Sequence, residues 1–213
     1  MSDRPPDPDS LRYAQQWEPV LAPAAHRLLD RVARPPATCL DLGAGTGSLT
    51  LEAARRWPAA RIMGVDASAG MLSVARRRLT HLEDLVDAGR ITLAAADVLD
   101  LPLDDATFDL AVSSFVLQLI PDRQALLLEI RRVRRPGGRA VFTMGAHVKP
   151  GWGATDDSGA RNAWGVWNWS DADARRMVEE AGFVDVTLSG LPVAYESRLV
   201  HATRPVAAAA MNA

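Results

Sequence analysis

The run Asp41-Leu42-Gly43-Ala44-Gly45-Thr46-Gly47 lies between a short apolar stretch, Ala37-Thr38-Cys39-Leu40, and a segment of helical character. A second apolar stretch, Arg61 to Val65, ends in a carboxylate at Asp66. Strand, glycine turn, helix and a second strand tipped with an acid make the nucleotide-binding half of an open α/β sheet. Lacking Cβ atoms, the glycines let the chain reverse tightly and let a bulky ligand lie against bare backbone. Asp66 is placed to accept both hydroxyl hydrogens of a ribose. Spacing narrows the ligand further. Dinucleotide loops follow G-x-G-x-x-G, with a helix N-terminus facing a pyrophosphate, whereas this chain has G-x-G-x-G and carries Ser48 where the last dinucleotide glycine would stand. Asp41, two residues ahead of Gly43, would repel a pyrophosphate and attract a cation. The pattern disfavours NAD, and with it a nicotinamide oxidoreductase, and favours a nucleoside that carries a positive centre.

A chain of 213 residues is long enough for one well-buried domain and short for two. A formal net charge of -2 provides no general basic field for nucleic acid or anionic lipid. The clusters Arg76-Arg77-Arg78, Arg131-Arg132 and Arg134-Arg135 fall on predicted helices or at a helix end, where solvated faces are expected. Cys39 is the only cysteine, so neither an intrachain disulfide nor a cysteine-based metal site can form, and a strand position predicts a buried thiol. Residues Met1 to Pro8 lack the apolar core of a signal peptide, and no apolar run is long enough to span a membrane. A cytoplasmic location is the expectation.

Strand and helix patterns alternate along the chain. Residues 1–9 are expected to be a disordered lead-in, and 10–204 a single domain. Ser10 is the expected cap of a helix bearing Tyr13, Trp17, Leu21 and Leu28, which Pro19 and Pro23 must kink or divide, so that 10–36 forms N-terminal cap helices. Thr46 to Trp57 reads as a helix and Arg61 to Val65 as a strand. Ser68 then caps a helix through Met71, Leu72, Ala75 and Leu79. Strands follow at Ile91 to Ala96 and Phe108 to Val112, the latter nearly all apolar as a central parallel strand should be. A helix over Asp122 to Val133 is expected to stop at Pro136-Gly137-Gly138, ahead of a strand at Ala140 to Met144. Residues 145–169, rich in Gly, Trp and Asp, read as a long loop over the site. Ser170 caps a helix to Ala181, and Phe183 to Ser189 with Tyr195 to Thr203 form a terminal hairpin, leaving 205–213 as a flexible tail. The expected fold is α/β: a Rossmann-like doubly wound sheet of seven strands, mostly parallel with an antiparallel C-terminal hairpin, with helices on both faces.

Four blocks in this order resemble the class I S-adenosylmethionine-dependent methyltransferases, of the small-molecule type, from about Leu40 to Thr203. They are Leu40 to Gly47, Gly64-Val65-Asp66-Ala67-Ser68 with Met71-Leu72, Asp97 followed by Leu101-Pro102, and Phe108-Asp109-Leu110 ahead of Arg135-Pro136-Gly137-Gly138. The resemblance implies S-adenosylmethionine as cofactor. It further implies that Gly43 and Gly45 approach the methionine portion while Asp41 holds its ammonium side. Asp66 would bind the ribose, Asp97 and the Val98 backbone would meet the adenine edge, and Ala67 and Met71 would pack on its face, Met71 being equally suited to plain core packing.

Because a sulfonium cofactor carries its own driving force, the protein mainly has to align a nucleophile. Ser114 and Gln118, after the fourth strand, lie across the topological switch point from the glycine loop and are expected to border the transferring methyl. Many similar small-molecule enzymes have a His pair where this chain has Gln118-Leu119. His147, after the fifth strand, is the best-placed candidate base, with a solvent-exposed loop histidine as the plainer reading; His26, His81 and His201 have weaker claims. Trp152, Trp164, Trp167 and Trp169 crowd the long loop. With Tyr13 and Trp17 they either line an aromatic acceptor pocket, Trp164 and Trp167 first among them, or anchor the loop to the domain. The expected activity is methyl transfer to O, N or C of a small, apolar or aromatic metabolite, by a monomer or homodimer with no metal and no nucleic-acid or membrane partner. The alternative is a catalytically silent cofactor-binding subunit that supports a partner enzyme.

Overall fold

A computed structural model describes residues 5–82, 89–147, 170–192 and 196–206. Seven strands form one sheet in the order β3-β2-β1-β4-β5-β7-β6. They are β1 (Thr38–Leu42), β2 (Arg61–Asp66), β3 (Ile91–Ala95), β4 (Phe108–Ser113), β5 (Arg134–His147), β6 (Val184–Pro192) and β7 (Glu196–Thr203). Pairing is parallel from β3 through β5, and β7 runs antiparallel to both neighbours. The order reverses between β1 and β4, so the crevice at their C-terminal ends is the switch point at which such sheets take ligands.

Alternation along each strand divides the core into two layers. Leu40, Leu42, Ala140, Phe142, Val200 and Ala202 face the layer of α5 (Arg123–Val133) and α6 (Asp171–Glu180). Cys39, Leu110, Val112, Val141 and Leu199 face α2 (Glu18–Asp30) and α3 (Ser48–Arg56). Cys39 is fully buried, as expected of a strand thiol. The helix α4 (Ala69–Arg78) begins at Ser68, whose hydroxyl accepts from the Met71 N–H at 3.2 Å. At the start of α6, Ser170 and Asp173 form a reciprocal capping box.

Several expectations are corrected. The first helix, α1 (Pro8–Gln16), starts inside the predicted lead-in and is capped by Asp7, not Ser10. Both the N–H and the hydroxyl of Ser10 donate to the Asp7 carboxylate, at 2.8 and 2.9 Å. Pro8 supplies the pre-set φ of a first helical residue, which makes the preceding aspartate the natural cap. Pro19 does divide the segment: α1 ends at Gln16 and α2 begins at Glu18, with Trp17 between them. Helix α5 stops at Val133 and β5 begins at Arg134, so Pro136-Gly137-Gly138 is a bulge within a strand and not a helix stop; the register shifts there between Phe108 and Leu110 of β4. As β5 runs to His147, residues 145–147 belong to the strand, while 148–169, with Trp152, Trp164, Trp167 and Trp169, lie outside the described residues.

The expectation of solvated arginines also fails at specific positions. Arg134 is fully buried, with its guanidinium 4.5 Å from the Phe183 ring centroid and donating to the carbonyls of Ile130 and Gly138 at 3.3 and 2.9 Å. Burial first, then Arg204 and Arg131, pulls its pKa down to about 9. Arg132 bridges Glu129, Asp105 and the Leu101 and Leu103 carbonyls, and Arg78 reaches back to Glu18. Among the described residues no helix is long and apolar enough to cross a membrane.

Candidate active site

Asp41 sits near the end of β1 on the face toward α3, almost fully buried. Thr50 on α3 donates its hydroxyl to Asp41 Oδ2 at 2.6 Å. Asp41 Oδ1 is buried with no partner among the described residues. Burial, opposed by the Thr50 hydroxyl and reinforced by the nearby Asp66 charge, pushes this carboxyl up to about 7. The close approach of α3 depends on Gly64 in β2, where a Cβ would stand 2.8 Å from the Thr50 hydroxyl and 2.8 Å from Leu93 Cδ2.

The glycine loop follows. Gly43 has φ +69, and a Cβ on it would lie 2.2 Å from Val116 Cγ2, in the segment after β4. At Gly45, φ is +53 and the nearest atom to such a Cβ is 4.0 Å away, so the loop presents open space on that side. The Gly45 N–H donates to Asp66 Oδ2 at 2.8 Å and the Ser68 N–H to Asp66 Oδ1 at 2.8 Å. Asp66 therefore ties the glycine loop to the start of α4 while each oxygen retains a lone pair for a hydroxyl donor. Ala96 N–H donates to the Asp66 carbonyl at 3.1 Å, which sets the following residue, Asp97, beside the tip of β2. Asp97 is exposed and its carboxylate accepts from the Leu99 N–H at 2.9 Å; Val98 is buried, Ala67 exposed and Met71 half-buried.

A cavity of about 50 Å³ lies against the loop, lined by Asp41, Gly43, Gly45, Ser114 and Tyr13 together with Leu21, Ala22, Ala25 and Phe115. Helices α1 and α2 roof it. Burial, then Glu18 and Asp66, pushes the Tyr13 phenol above its ordinary range, so it stands as a hydrogen-bond donor. Trp17 is exposed at the α1–α2 junction and does not line the cavity. Gln118 is buried on a short 3-10 turn, Leu117–Leu119, and its Oε1 has no partner among the described residues. Thr143 in β5 accepts the Phe115 N–H at 2.8 Å, and Phe115 is held there with φ +59. Such a conformation is costly for a bulky residue and recurs at functional sites. The His147 backbone pairs with Glu196 beyond a register shift at the end of β5; its side chain, and that of His81, lies outside what the structure describes. His26 is exposed, 3.8 Å from Glu52.

Sequence reasoning missed Glu18. Its carboxylate is buried under α2 and accepts from the hydroxyls of Thr46, at 2.7 Å, and Ser48, and from Arg78, whose guanidinium also donates to the Thr46 carbonyl at 2.9 Å. The roof is thus fastened to the glycine loop and to the end of α4 at one carboxylate. An acid beside Trp17, with partners 28 to 60 residues away, leaves no local signal. Among the described residues no group of three or more potential ligands could hold a metal.

The donor set fits an ammonium-bearing nucleoside: an orphaned buried carboxylate oxygen, a glycine, Gly45, facing open space, and a second carboxylate at the strand tip. A doubly wound seven-stranded sheet with this loop at its switch point defines the Rossmann-like class I methyltransferase architecture. The family described as methyltransferase domain matches residues 40–142. The chain is 36% identical over 175 residues to the malonyl-[acyl-carrier protein] O-methyltransferase of Halorhodospira halophila, a match covering 78% of this chain and 56% of that protein. It is 40% identical over 111 residues to the demethylmenaquinone methyltransferase of Symbiobacterium thermophilum, covering 51% and 42%. A solved structure of Haemonchus contortus phosphoethanolamine N-methyltransferase 2 in complex with S-adenosyl-L-methionine shares the fold at a TM-score of 0.70 and 19% identity, over 85% of this chain and 52% of that one. The chain spans about half the length of the curated relatives it matches. It belongs to the class I S-adenosylmethionine-dependent methyltransferases, and S-adenosylmethionine is its cofactor.

Proposed function

We propose that the chain transfers a methyl group from S-adenosylmethionine to an oxygen, nitrogen or carbon of a small, largely apolar or aromatic metabolite. The observation that carries the acceptor class is the apolar and aromatic wall that Tyr13, Leu21, Ala22, Ala25 and Phe115 set beside the glycine loop, a lining suited to a small organic group. The names of the two curated relatives favour an organic acceptor group, free in demethylmenaquinone and carried on a protein in malonyl-[acyl-carrier protein].

In this reading Asp41 Oδ1 takes the cofactor's ammonium, Gly43 and Gly45 flank its methionine portion, and Asp66 takes the ribose hydroxyls. Ala67 and Met71 lie against the adenine, whose edge meets Asp97 and the Val98 backbone. Bound there, the cofactor supplies an activated methyl group, which leaves alignment and exclusion of water to the protein. Tyr13 keeps its proton and orients an acceptor oxygen or nitrogen, while Ser114 and Gln118 border the reacting side. His147 is the imidazole to test as base, and Trp164 and Trp167 are the residues to test for acceptor contact. The enzyme works in the cytoplasm as a monomer or homodimer, without a membrane or nucleic-acid partner.

Incubating the protein with methyl-labelled S-adenosylmethionine and a metabolite extract, with tRNA and protein present as competing acceptors, tests this. Label is expected in the small-molecule fraction. Label confined to macromolecules overturns the acceptor class, and tight S-adenosylhomocysteine binding without turnover on any extract would favour the silent-subunit reading.

A further inference from the structure

At the edge of the sheet opposite the glycine loop, the connection between α2 and β1 and the α2-side face of β5, β7 and β6 enclose a groove of about 1010 Å³. That volume is at the upper end of small-molecule pockets, roughly 300–1,000 Å³. Arg31, Arg34, Arg135, Arg139 and His201 line it, against one carboxylate, Asp109. That acid is already engaged. Asp109 Oδ1 accepts from Arg135 at 2.7 Å, and Oδ2 accepts from the N–H groups of Ala37 and Thr38 at 3.1 and 2.9 Å and from the Thr38 hydroxyl. Arg31, Arg34 and Arg139 have no carboxylate partner among the described residues.

The crowding is built in. Arg139 donates to the Arg34 carbonyl at 2.8 Å, which fixes one guanidinium beside the backbone that carries the other. Burial, then Arg34, lowers the Arg139 pKa against the opposing charge of Asp109, and burial, then Arg139 and Arg134, lowers that of His201 against the opposing charge of Asp185. Pro35-Pro36 on one rim and Pro136 on the other restrict the backbone that presents these arms. Thr187 and Ser189 of β6 add hydroxyls to the far wall. An excess of like charge gathered around a hollow is what a multiply charged anion relieves, and guanidinium forks match phosphate oxygens two at a time.

We infer that this groove is a second ligand site, separate from the cofactor site, for a small molecule bearing a polyphosphate group, held by Arg31, Arg34 and Arg139. The charge excess sets the polyanion, and the volume leaves room for an organic group behind the phosphates.

Calorimetric titration of the full chain with inorganic tripolyphosphate, at about 0.15 M salt, tests the assignment directly. Saturable one-to-one binding is expected, unchanged when the protein is first saturated with S-adenosylhomocysteine. The double variant Arg31→Gln/Arg34→Gln, both positions being exposed, is expected to weaken it by about tenfold or more, equivalent to ~1.4 kcal/mol, with the melting temperature and S-adenosylhomocysteine affinity unmoved. Arg34→Lys, which keeps the charge and removes the fork, is expected to lose part of the affinity. ATP binding at least as tight as tripolyphosphate supports a phosphorylated organic ligand. Absence of saturable binding, equal binding by the double variant, displacement by S-adenosylhomocysteine, or citrate binding as tightly as tripolyphosphate would overturn the assignment, as would binding of duplex DNA or an acidic protein in its place.

Discussion

The two ends of the sheet carry opposite unmet charge. At the C-terminal end of β1 a buried carboxylate, Asp41, keeps one oxygen without a donor, under a roof fastened by Glu18. At the N-terminal end, three arginines line an open groove without a carboxylate of their own. Burial distinguishes the two. In the closed site desolvation is strong enough to move Asp41 to about 7, so a single cationic ligand changes a protonation state. In the open groove solvent screens Arg31 and Arg34 and only Arg139 is partly buried, so the number of arginines more than their depth gives selectivity. Ligand recognition by one deep charge and by several shallow ones calls for different tests.

The largest effect is expected at the closed end. Gly43→Ala places a Cβ against Val116 in a left-handed backbone and is expected to lower stability by about 2 to 5 kcal/mol, read by urea unfolding. Adding Val116→Ala should recover the steric part and leave the φ part. An unchanged midpoint for Gly43→Ala alone would contradict the loop geometry.

Asp41→Asn separates charge from shape. The folded carboxyl titrates near 7 against 3.8 in an unstructured chain, so the fold holds the extra proton between those values and loses stability as pH rises through that window. Near pH 8 the variant is expected to be more stable by about 2 to 4 kcal/mol and to bind S-adenosylhomocysteine at least about tenfold more weakly. Because an ammonium favours the ionised carboxylate, wild-type affinity should rise as pH passes upward through about 7, and the variant's should stay flat. Parallel pH profiles would refute the Asp41 assignment.

Asp66→Ala should weaken binding of the same ligand by roughly 1.5 to 3 kcal/mol, through loss of charge-assisted hydrogen bonds. Glu18→Gln is the smallest of these effects, about 1 kcal/mol of stability given the partial exposure of Arg78, with faster S-adenosylhomocysteine release in stopped flow. Release at the wild-type rate would separate the roof from ligand exit.

What the sequence disclosed follows from how local each signal is. Glycine spacing, the acid at Asp66, the Ser68 cap and the apolar run of β4 are read within a few residues, and each falls where expected. Arg134 was misread because the next residue class decides it: with Pro136-Gly137-Gly138 taken as a helix stop, the side chain is exposed, whereas a strand starting at once after Val133 turns it into the core under Phe183. Glu18 and the arginine groove are products of chain crossings. Arg34 and Arg139 are 105 residues apart, and no window of local pattern contains both.

Arg134 has a further consequence, for where this chain can be cut. The recognisable family segment ends at residue 142, in the middle of β5, yet the ring beside the buried guanidinium belongs to Phe183 and the strand closing that side of the sheet is β7. A fragment ending near the family boundary would present an unpaired apolar strand and a stranded cation, the conditions for edge-to-edge aggregation. The part of this protein that is easiest to recognise is therefore smaller than the part that can fold, and a fragment made for crystallisation or fusion should keep the chain through at least Arg204, whose guanidinium donates to the Arg131 and Arg132 carbonyls at 2.9 and 3.2 Å.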